Sequence, residues 1–511
     1  MAIVKIDSNF TGASIAEESA LGVLPGSPVW QDMEPNEYSD FGAELSTVAR
    51  APIAPDRQNK KGAVVDLDAA GGFSLDFTKS NMTKFLQGFF FADAKEQAST
   101  KPLNAAAVAI TGADSSDKSY NAASGLAVFK AGDLIYVSGF NQAANNGLKT
   151  VVTAAAGKIT VAETLVTEAG TAAVVISRAG VQFASGDAVL NKTGDVVSLT
   201  LTTGSFSAND GFIAGAWVHI GGDATITRFT GYTGFARIGS VSAKTVVFDQ
   251  LSGVVAASDT GTAKTIQVYQ GTVIRNEKNP SLIKRRTYQI ERSLGTSDVG
   301  AQAEYLEGAI PNEFTLNAST ADKVTCDISY VATGYSTRSG AIGNEKKAGT
   351  HLVAPGEAAY NTSSNVPSVA IVTYDATKSK QKPLFAYAEG FTFAINNNVS
   401  PDKAIGVLGA FEASIGQFDV TVSTDAYFAD VAALTAIRGN ADAGAYMILA
   451  QNNYGLVFDL PLATIGGGSL NVAGGESIKT SLELTGAENR FGYTAQYQTF
   501  AYLPTVAMPA V

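Results

Sequence analysis

Residues 312–330 read NEFTLNASTADKVTCDISY, and two alternating runs within them predict a β-hairpin. In the first run, Phe314 and Leu316 alternate with polar residues. The second run alternates in the same way through Val324, Cys326, Ile328 and Tyr330. Because alternate residues of a strand point to one side, the two apolar sides face each other across a polar turn. This stretch therefore predicts a β fold.

Three further stretches carry the period of a β-strand. In EGFTFAINNNVSPDKAIG (389–406), alternating apolar residues end abruptly in three asparagines. In GAFEASIGQFDVTVS (409–423), the alternation through Phe411, Ala413 and Ile415 slips at Gly416, which predicts a β-bulge. AVVDLDAAGGFSLDF (63–77) predicts two short strands.

Two stretches have the period of a helix. Met82, Phe85, Leu86 and Phe89 share one helical face, and Ser80 or Asn81 is expected to cap that helix. A second stripe runs through Phe428, Val431, Leu434 and Ile437, and Gly439 is expected to end that helix.

Composition indicates a turn-rich β protein with several cores. The chain has 511 residues, of which 45% are hydrophobic and 16% charged, with 51 glycines. Its net charge of −11 argues against a protein that coats DNA phosphates. The single cysteine, Cys326, cannot form an intrachain disulfide. With neither a signal-peptide pattern nor an apolar run of about 18 residues, the chain is expected to be made in the cytosol.

An internal repeat occupies the middle of the chain. AGDLIYVSGF from Ala131 matches AGAWVHIGGD from Ala214, and each copy is followed by a Gly-Thr-Ala that leads into another strand, from Gly170 and from Gly261. Two copies predict two small all-β modules in series, at about 98–185 and 186–280.

The sequence contains little that indicates catalysis. It has no GxxxxGK[ST], HExxH or GxSxG motif, and its two histidines, His219 and His351, are far apart. DLDAAGG (66–72) lacks two of the oxygen ligands of a calcium loop. We therefore expect no enzyme activity, no metal and no cofactor.

A basic run, LIKRRTYQIER (282–292), follows the repeat and allows two interpretations. Lys284, Arg285 and Arg286 could bind an acidic neighbouring subunit. Alternatively, the run is an edge strand whose charge prevents unwanted pairing.

Taken together, residues 310–335, 389–428 and the later YGLVFDLP resemble the major tail tube protein of bacteriophages with long non-contractile tails, the siphovirus type. Residues 49–90 are similar to the first half of that family's core. The resemblance implies a mainly β fold: a tail-tube β sandwich or barrel with one or two packed helices, interrupted by the two modules. It divides the chain into 1–95 (N-terminal arm and first half of the core), 96–280 (outward-facing modules) and 281–511 (second half of the core).

The resemblance also implies a structural virion protein. Members of the family form hexameric rings that stack into a hollow tube, assembled in the host cytoplasm, through which DNA passes without specific binding. The implied partners are further copies of the chain and the tape measure, terminator and tail-tip proteins. From their chemistry, the loop residues at ring faces are expected to contact other subunits. The candidates are Asn396, Asn397, Asn398, Ser400, Asp402, Lys403, Lys284, Arg285 and Arg286.

Two other functions remain open at this stage. A tail terminator or decoration protein would use a similar fold without forming a tube. A carbohydrate-binding adhesin would need aromatic side chains for sugar stacking, and the chain has only two tryptophans, Trp30 and Trp217.

Overall fold

The protein is described from a computed structural model that covers residues 6, 8–50, 52–53, 55, 58, 60–207, 211–297, 300–374, 381–385, 387–428, 431–472 and 475–509. These residues form many strands and two short α-helices, so the expected mainly β fold is confirmed. Contacts divide the chain into two compact units. The first comprises Met1–Phe91, Ile283–Tyr360 and Gly390–Ser423, and the second comprises Ala92–Leu282, Asn361–Glu389 and Thr424–Val511.

In chain order, the strands before the repeat are β1 (Gly12–Glu17), β2 (Val29–Met33), β3 (Pro35–Arg50) and β4 (Lys60–Asp76). The strands of the repeat are β5 (Ile110–Asp114), β6 (Ser119–Ala122), β7 (Asp133–Ser138), β8 (Gly147–Ala155), β9 (Lys158–Val161), β10 (Glu168–Ala169), β11 (Val175–Gln182), β12 (Ala188–Thr193), β13 (Val196–Leu201), β14 (Trp217–Ile220), β15 (Gly234–Val241), β16 (Thr245–Leu251) and β17 (Gln267–Tyr269).

The strands after the repeat are β18 (Thr272–Arg275), β19 (Tyr288–Ser297), β20 (Gly300–Ser319), β21 (Thr325–Ala332), β22 (Gly334–Gly340), β23 (Thr350–Leu352), β24 (Ser368–Tyr374), β25 (Gln381–Pro383), β26 (Ala388–Asn396), β27 (Ser400–Lys403), β28 (Ala410–Ser414), β29 (Asp419–Tyr427), β30 (Ala443–Gln451), β31 (Tyr454–Asn471), β32 (Lys479–Gly486) and β33 (Gln496–Phe500). The helices are α1 (Leu86–Phe89) and α2 (Ala432–Arg438).

In the first unit, the long strand β20 pairs with different neighbours along its length. Its first half pairs antiparallel with β19 and β22, and its second half with β21 and β26. The pairing with β21 shifts register between Pro311 and Glu313, close to the point where the neighbours change. Beyond β21, the ladder continues through β4 to β3.

The apolar side of this ladder forms a core under α1. Phe314 and Leu316 lie opposite Ile328 and Cys326 and are fully buried, which confirms the predicted hairpin. The ring of Phe89 on α1 lies with its centroid 5.8 Å from that of Phe314. Alternation therefore gives each strand one side for this core and leaves the other side to polar residues.

Helix α1 is shorter than its sequence predicts. The four residues of its expected apolar face are all buried, but the α-helix spans only Leu86–Phe89. Ser80 does not cap it, because its backbone N–H and hydroxyl group donate to Glu357. Asn81 instead closes the preceding turn by accepting from the Thr78 N–H and donating to the Asp76 carbonyl.

Two predictions about strands are wrong, and the differences change which side chains are exposed. Residues 63–76 belong to the single strand β4, which ends before Phe77, rather than to two short strands. The predicted bulge at Gly416 is a complete break between β28 and β29, because β28 turns to pair with β27. Ala413 is therefore buried, whereas Phe411 and Ile415 are exposed.

The N-terminal segment and the second helix also differ from expectation. Strand β1 lies between β2 and β19, so residues 12–17 are part of a sheet rather than a free arm. At the end of α2, the left-handed residue is Asn440, and Gly439 keeps a helical conformation.

In the second unit, the repeat forms one 13-stranded sheet of two modules. The first module has the strand order β10-β5-β6-β9-β8-β7-β11, and the second has β17-β14-β15-β16-β13-β12. Each module has its own apolar cluster. Their equivalent strands β11 and β17 pair antiparallel with each other, so the modules meet edge to edge.

The two modules also share a glycine and an acidic residue at equivalent positions, which together hold a loop. Gly170 and Gly261 begin the Gly-Thr-Ala segments, and a Cβ at either position would lie within 2.2 Å of a carbonyl oxygen of the module's first strand. The acidic residue two positions earlier, Glu168 or Asp259, accepts hydrogen bonds from backbone N–H groups of a loop. Each copy thus uses one carboxylate to hold the loop that follows its β7 or β14 strand.

Strands β18, β24, β25 and β30 to β33 form the rest of the second unit, and the second module is fixed to them. The Arg237 guanidinium, fully buried, donates to Asp249 and to Asp459 of β31, each at 2.9 Å. The Gln498 side chain of β33 bonds both the backbone N–H and the carbonyl of Trp217.

The hydrogen bonds accepted by Asp259 predict that the stability of the second module depends on pH. Burial disfavours the ionised carboxylate, but the Lys264 ammonium and the N–H groups of Thr230 and Gly261 outweigh it and lower the pKa to about 2. The stabilisation is therefore present above the unfolded-state pKa of about 4 and is lost as the pH falls toward 2.

We expect Asp259→Asn to lower the melting temperature at pH 7 and to flatten its dependence on pH between 4 and 2. Differential scanning calorimetry of the full chain measures both. Asp195→Asn, at an exposed carboxylate of the same module, is the matched control. Equal pH profiles for the wild type and Asp259→Asn would contradict the assignment.

Candidate functional site: a polar sheet face and its loops

The side of the first unit's ladder opposite the core forms a continuous polar face across β4, β21, β20 and β26. Register aligns its side chains in rows: Ser74 lies opposite Asp327, Asp327 opposite Thr315, and Thr315 opposite Ala394. The face consists of Ser74, Asp76, Glu313, Thr315, Asn317, Thr325, Asp327, Ser329, Thr392, Ala394 and Asn396, all exposed or half-buried. We call this set the polar face.

The polar face is acidic and has short side chains. Its three charged members, Asp76, Glu313 and Asp327, are all carboxylates, and none of its eleven residues is Lys or Arg. Neutral amides hold two of them: Asn396 donates to Glu313 at 2.9 Å and Asn317 to Asp327 at 2.8 Å. These hydrogen bonds fix the carboxylates in place while leaving their negative charge uncompensated by those partners.

Asp76, at the β4 edge of the face, has a cationic neighbour. Partial burial disfavours its ionised form, but hydrogen bonds from Lys323, at 2.7 Å, and Asn36, at 2.6 Å, outweigh burial and lower its pKa. It is therefore ionised at neutral pH.

The three asparagines after β26 have different surroundings. Asn397 is buried, and its Nδ2 donates to the carbonyls of Phe89 and Pro311. Asn398 adopts a left-handed conformation with φ 48° and donates to Asp419 at 2.8 Å. The polar loop therefore closes the end of β26 against its own unit, and only Asn396 and Asn398 present their side chains to the surface.

The hairpin of β27 and β28 carries the next three candidates. Ser400 is exposed opposite Ser414 in register, and Asp402 accepts a hydrogen bond from the Ser414 hydroxyl group at 2.7 Å. Lys403 bridges Asp66 and Asp68 of β4, at 2.5 and 2.6 Å. The bridge ties this hairpin to β4.

The basic run is largely engaged within its own unit. Arg285 donates to Glu412 at 2.8 Å and to the Ala413 carbonyl at 2.6 Å. Arg286 pairs with Glu17, whereas the Lys284 side chain is exposed. The edge-strand interpretation is wrong, because β19, which contains Arg292, has β1 on one side and β20 on the other.

Sequence reasoning missed a two-stranded ribbon made by residues 44–50 of β3 and 60–68 of β4. Residues 44–50 are all exposed, although they pair antiparallel with β4 through a ladder whose register shifts between Ser46 and Thr47 and between Val48 and Arg50. Four exposed apolar side chains lie on the ribbon: Leu45, Val48, Val64 and Val65. Alternation in this segment is weak, and the composition NKKGAVVDLD gave no sign that neither side is buried.

Metal binding, membrane spanning and sugar stacking each need particular side chains or helices among the described residues. No group of three or more His, Cys, Asp or Glu side chains within them is placed to hold a metal ion, and no helix among them is long and apolar enough to cross a membrane. Trp30 and Trp217 are both fully buried, so neither indole is available to stack on a sugar.

A family model described as phage tail tube protein matches residues 213–486, more than half of the chain.

The chain belongs to the phage tail tube protein family.

No curated protein matches the chain. As a family member, this tail tube protein is a structural component of the phage tail. The match begins inside the second module and includes its strands β14 to β17, the β20, β21 and β26 strands of the polar face, and the β27–β28 hairpin. It begins after the first module and does not include β3 or β4.

The buried Asn397 of this tail tube protein predicts a structural effect. Asn397→Ala removes the amide that serves two buried carbonyls, so we expect a loss of about 1–3 kcal/mol in the free energy of unfolding. Asn396→Ala, at the half-buried neighbour, is the control and should cost less. Urea denaturation of both variants measures the difference, and an equal loss would show that the Asn397 amide is not a structural support.

Proposed function

We propose that this chain is the major tail tube protein of a siphovirus-type phage, whose copies form hexameric rings that stack into a hollow tube for DNA delivery. The observation that carries the proposal is the polar face, an acidic and neutral surface whose reverse side is the core of the first unit. In a family of tail tube proteins, such a surface suits the wall of a DNA channel.

Electrostatics favour this role for the polar face. A basic surface would retain DNA, because released counterions drive its binding to Lys and Arg. Glu313 and Asp327, whose charges no Lys or Arg of the face offsets, repel phosphate, whereas Asp76 at the edge of the face is paired with Lys323. The surface therefore guides DNA without binding it.

The ribbon of residues 44–50 and 60–68 favours self-association. A two-stranded hairpin is marginal by itself in water, because it lacks a hydrophobic face packed on other structure. This ribbon has exposed apolar side chains, which favour association with another chain. Copies of the chain are the proposed partners, together with the tape measure, terminator and tail-tip proteins.

In this proposal, residues 1–95 and 281–511 supply the tube and residues 96–280 supply outward-facing modules, with assembly in the host cytoplasm. Exposed residues at ring faces, among them Asn398, Ser400 and Lys284, contact neighbouring subunits, and the half-buried Asn396 lies beside them at the end of β26. The buried amide of Asn397 supports the loop from inside its own subunit.

Self-assembly is the direct test. We expect the purified chain, at raised concentration, to form hollow tubes of uniform width built from six-membered rings, as seen by negative-stain electron microscopy. Single rings that never stack would instead indicate a terminator. Particles without a central channel, including after addition of a purified tail-tip complex, would contradict the tube function.

Charge reversal tests the polar face separately. We expect tubes of Glu313→Lys/Asp327→Lys to retain duplex DNA at low salt and to release it as salt rises, whereas wild-type tubes do not retain it. Asp195→Lys/Asp223→Lys, at exposed carboxylates of the second module, is the control. Retention is measured by co-sedimentation, and equal retention by both variants would place the polar face outside the channel.

A further inference from the structure

A cavity of about 280 Å³ lies within the first unit, between β2, the turn that follows β4 and the loop that follows β23. Four of its lining side chains are carboxylates: Asp32, Glu34, Asp76 and Glu357. None of the described residues that line it is Lys or Arg. We call this space the acidic cavity.

Two of the carboxylates are held in place by neutral hydrogen-bond donors. Asp32 accepts from the Ser14 hydroxyl group at 2.7 Å, and the His351 Nδ1 is 3.9 Å away, beyond hydrogen-bond distance. Glu357 accepts from the backbone N–H and the hydroxyl group of Ser80, at 2.8 and 3.0 Å. Because hydroxyl and N–H groups carry no net charge, they position these carboxylates without neutralising them.

The other two carboxylates differ in their surroundings. Lys323 donates to Asp76 at 2.7 Å, so this carboxylate has a cation of its own. Glu34 is exposed and has neither a hydrogen bond nor an ion pair with another described residue. Like charges that surround one space repel each other, and a cationic ligand in the acidic cavity would relieve that repulsion.

A buried hydroxyl group at the acidic cavity also lacks a partner. Thr78 lines the cavity and is 7% exposed, and its Oγ1 has no hydrogen-bond partner among the described residues. Leaving a buried polar atom without a hydrogen bond is costly. An ammonium group has three N–H donors, so it can bond this hydroxyl oxygen and carboxylates at the same time.

The remaining walls and the spacing of the charges limit the kind of cation. Met33, Ala354, Pro355 and Ala359 form apolar walls between the carboxylates. No group of three or more acidic, His or Cys side chains among the described residues is placed to share a metal ion. Separated carboxylates and apolar walls therefore suit a ligand with separated positive charges on an alkyl stem.

We propose that the acidic cavity binds a linear alkyl diamine or polyamine. The ammonium groups of the ligand bond the four carboxylates and the Thr78 hydroxyl group, and its methylene stem packs on Met33 and Ala359. Since the lining residues come from β2, the turn after β4 and the loop after β23, the bound ligand joins three segments of the first unit. This binding does not depend on the proposed tube function.

Isothermal titration calorimetry of the full chain with spermidine tests the site. The titration is done at about 0.15 M salt, which screens the general attraction between an acidic chain and any cation. We expect saturable binding of one spermidine per chain. Butylamine has an alkyl stem but only one ammonium group, so it should bind at least tenfold more weakly. Equal binding of the two amines, or no saturation with spermidine, would overturn the proposal.

Removal of two carboxylates tests which residues hold the ligand. Glu34→Gln/Glu357→Gln takes away two charges and leaves an amide oxygen to accept from Ser80. We expect the affinity for spermidine to fall at least tenfold, because hydrogen bonds to charged groups are lost. Glu37→Gln/Glu44→Gln removes the same charge from exposed positions of β3 in the same unit and is the matched control. An equal fall in both variants would reduce the binding to a general attraction.

A second variant fills the acidic cavity without changing its charge. Ala359→Phe places a ring in the space for the alkyl stem, so we expect at least a tenfold loss of affinity for spermidine. Binding equal to that of the wild type would place the ligand elsewhere on the chain. The melting temperature without spermidine is measured first, and if Ala359→Phe does not fold, the carboxylate variants decide the question.

A lysine side chain of a second copy could offer the same chemistry, and sedimentation velocity distinguishes the two sources. If the cavity receives such a lysine, Glu34→Gln/Glu357→Gln weakens self-association and spermidine dissociates the wild-type assembly, which would overturn a free polyamine as the occupant. If the proposal is correct, neither change affects association. Saturable binding of spermidine to chains that form no tubes would support the site while the tube function fails.

Discussion

The first unit depends on one constraint: strand β20 must turn its apolar side to the core and its polar side to the surface. Along 20 residues this strand pairs with two sets of neighbours, and the register shift beside Pro311 marks the change between them. Phe314 and Leu316 must face the core under α1, because a strand slipped by one residue would expose every apolar side chain. That requirement also fixes Glu313, Thr315 and Asn317 on the opposite side. The packing of the core and the chemistry of the polar face are therefore set by one register.

The sequence was informative where periodicity and burial agree. The 312–330 hairpin, the apolar side of α1 and the two repeat modules follow from alternation, helical spacing and self-similarity, each of which reflects local geometry. The polar face is implied by the same alternation, but its extent depends on which strands are neighbours. Sequence spacing alone does not tell that β4 lies beside β21.

The wrong sequence predictions have a common cause. They occur where an apolar side chain is exposed or where a polar side chain is buried. Phe411 and Ile415 resemble core residues in sequence, but β28 pairs with β27 instead of continuing into β29. Asn397 resembles a surface residue in sequence, but its side chain is buried and its amide donates hydrogen bonds to two backbone carbonyls. Arg285 and Arg286 looked available to another subunit, yet their partners Glu412 and Glu17 are distant in sequence and belong to the same unit.

The first module is attached in a manner that has consequences for how such chains change over generations. Its first and last segments run side by side: Ser99 bridges Ser177, and the Arg178 N–H donates to the Ala98 carbonyl. A stretch of DNA encoding the whole module could be gained or lost at this point without pulling the flanking residues apart. The second module is held to β31 and β33 by Arg237 and Gln498, and the first module is joined to the second by the β11–β17 pairing. A replacement for the first module would therefore need adjoining ends and an edge strand that pairs with β17 in the place of β11.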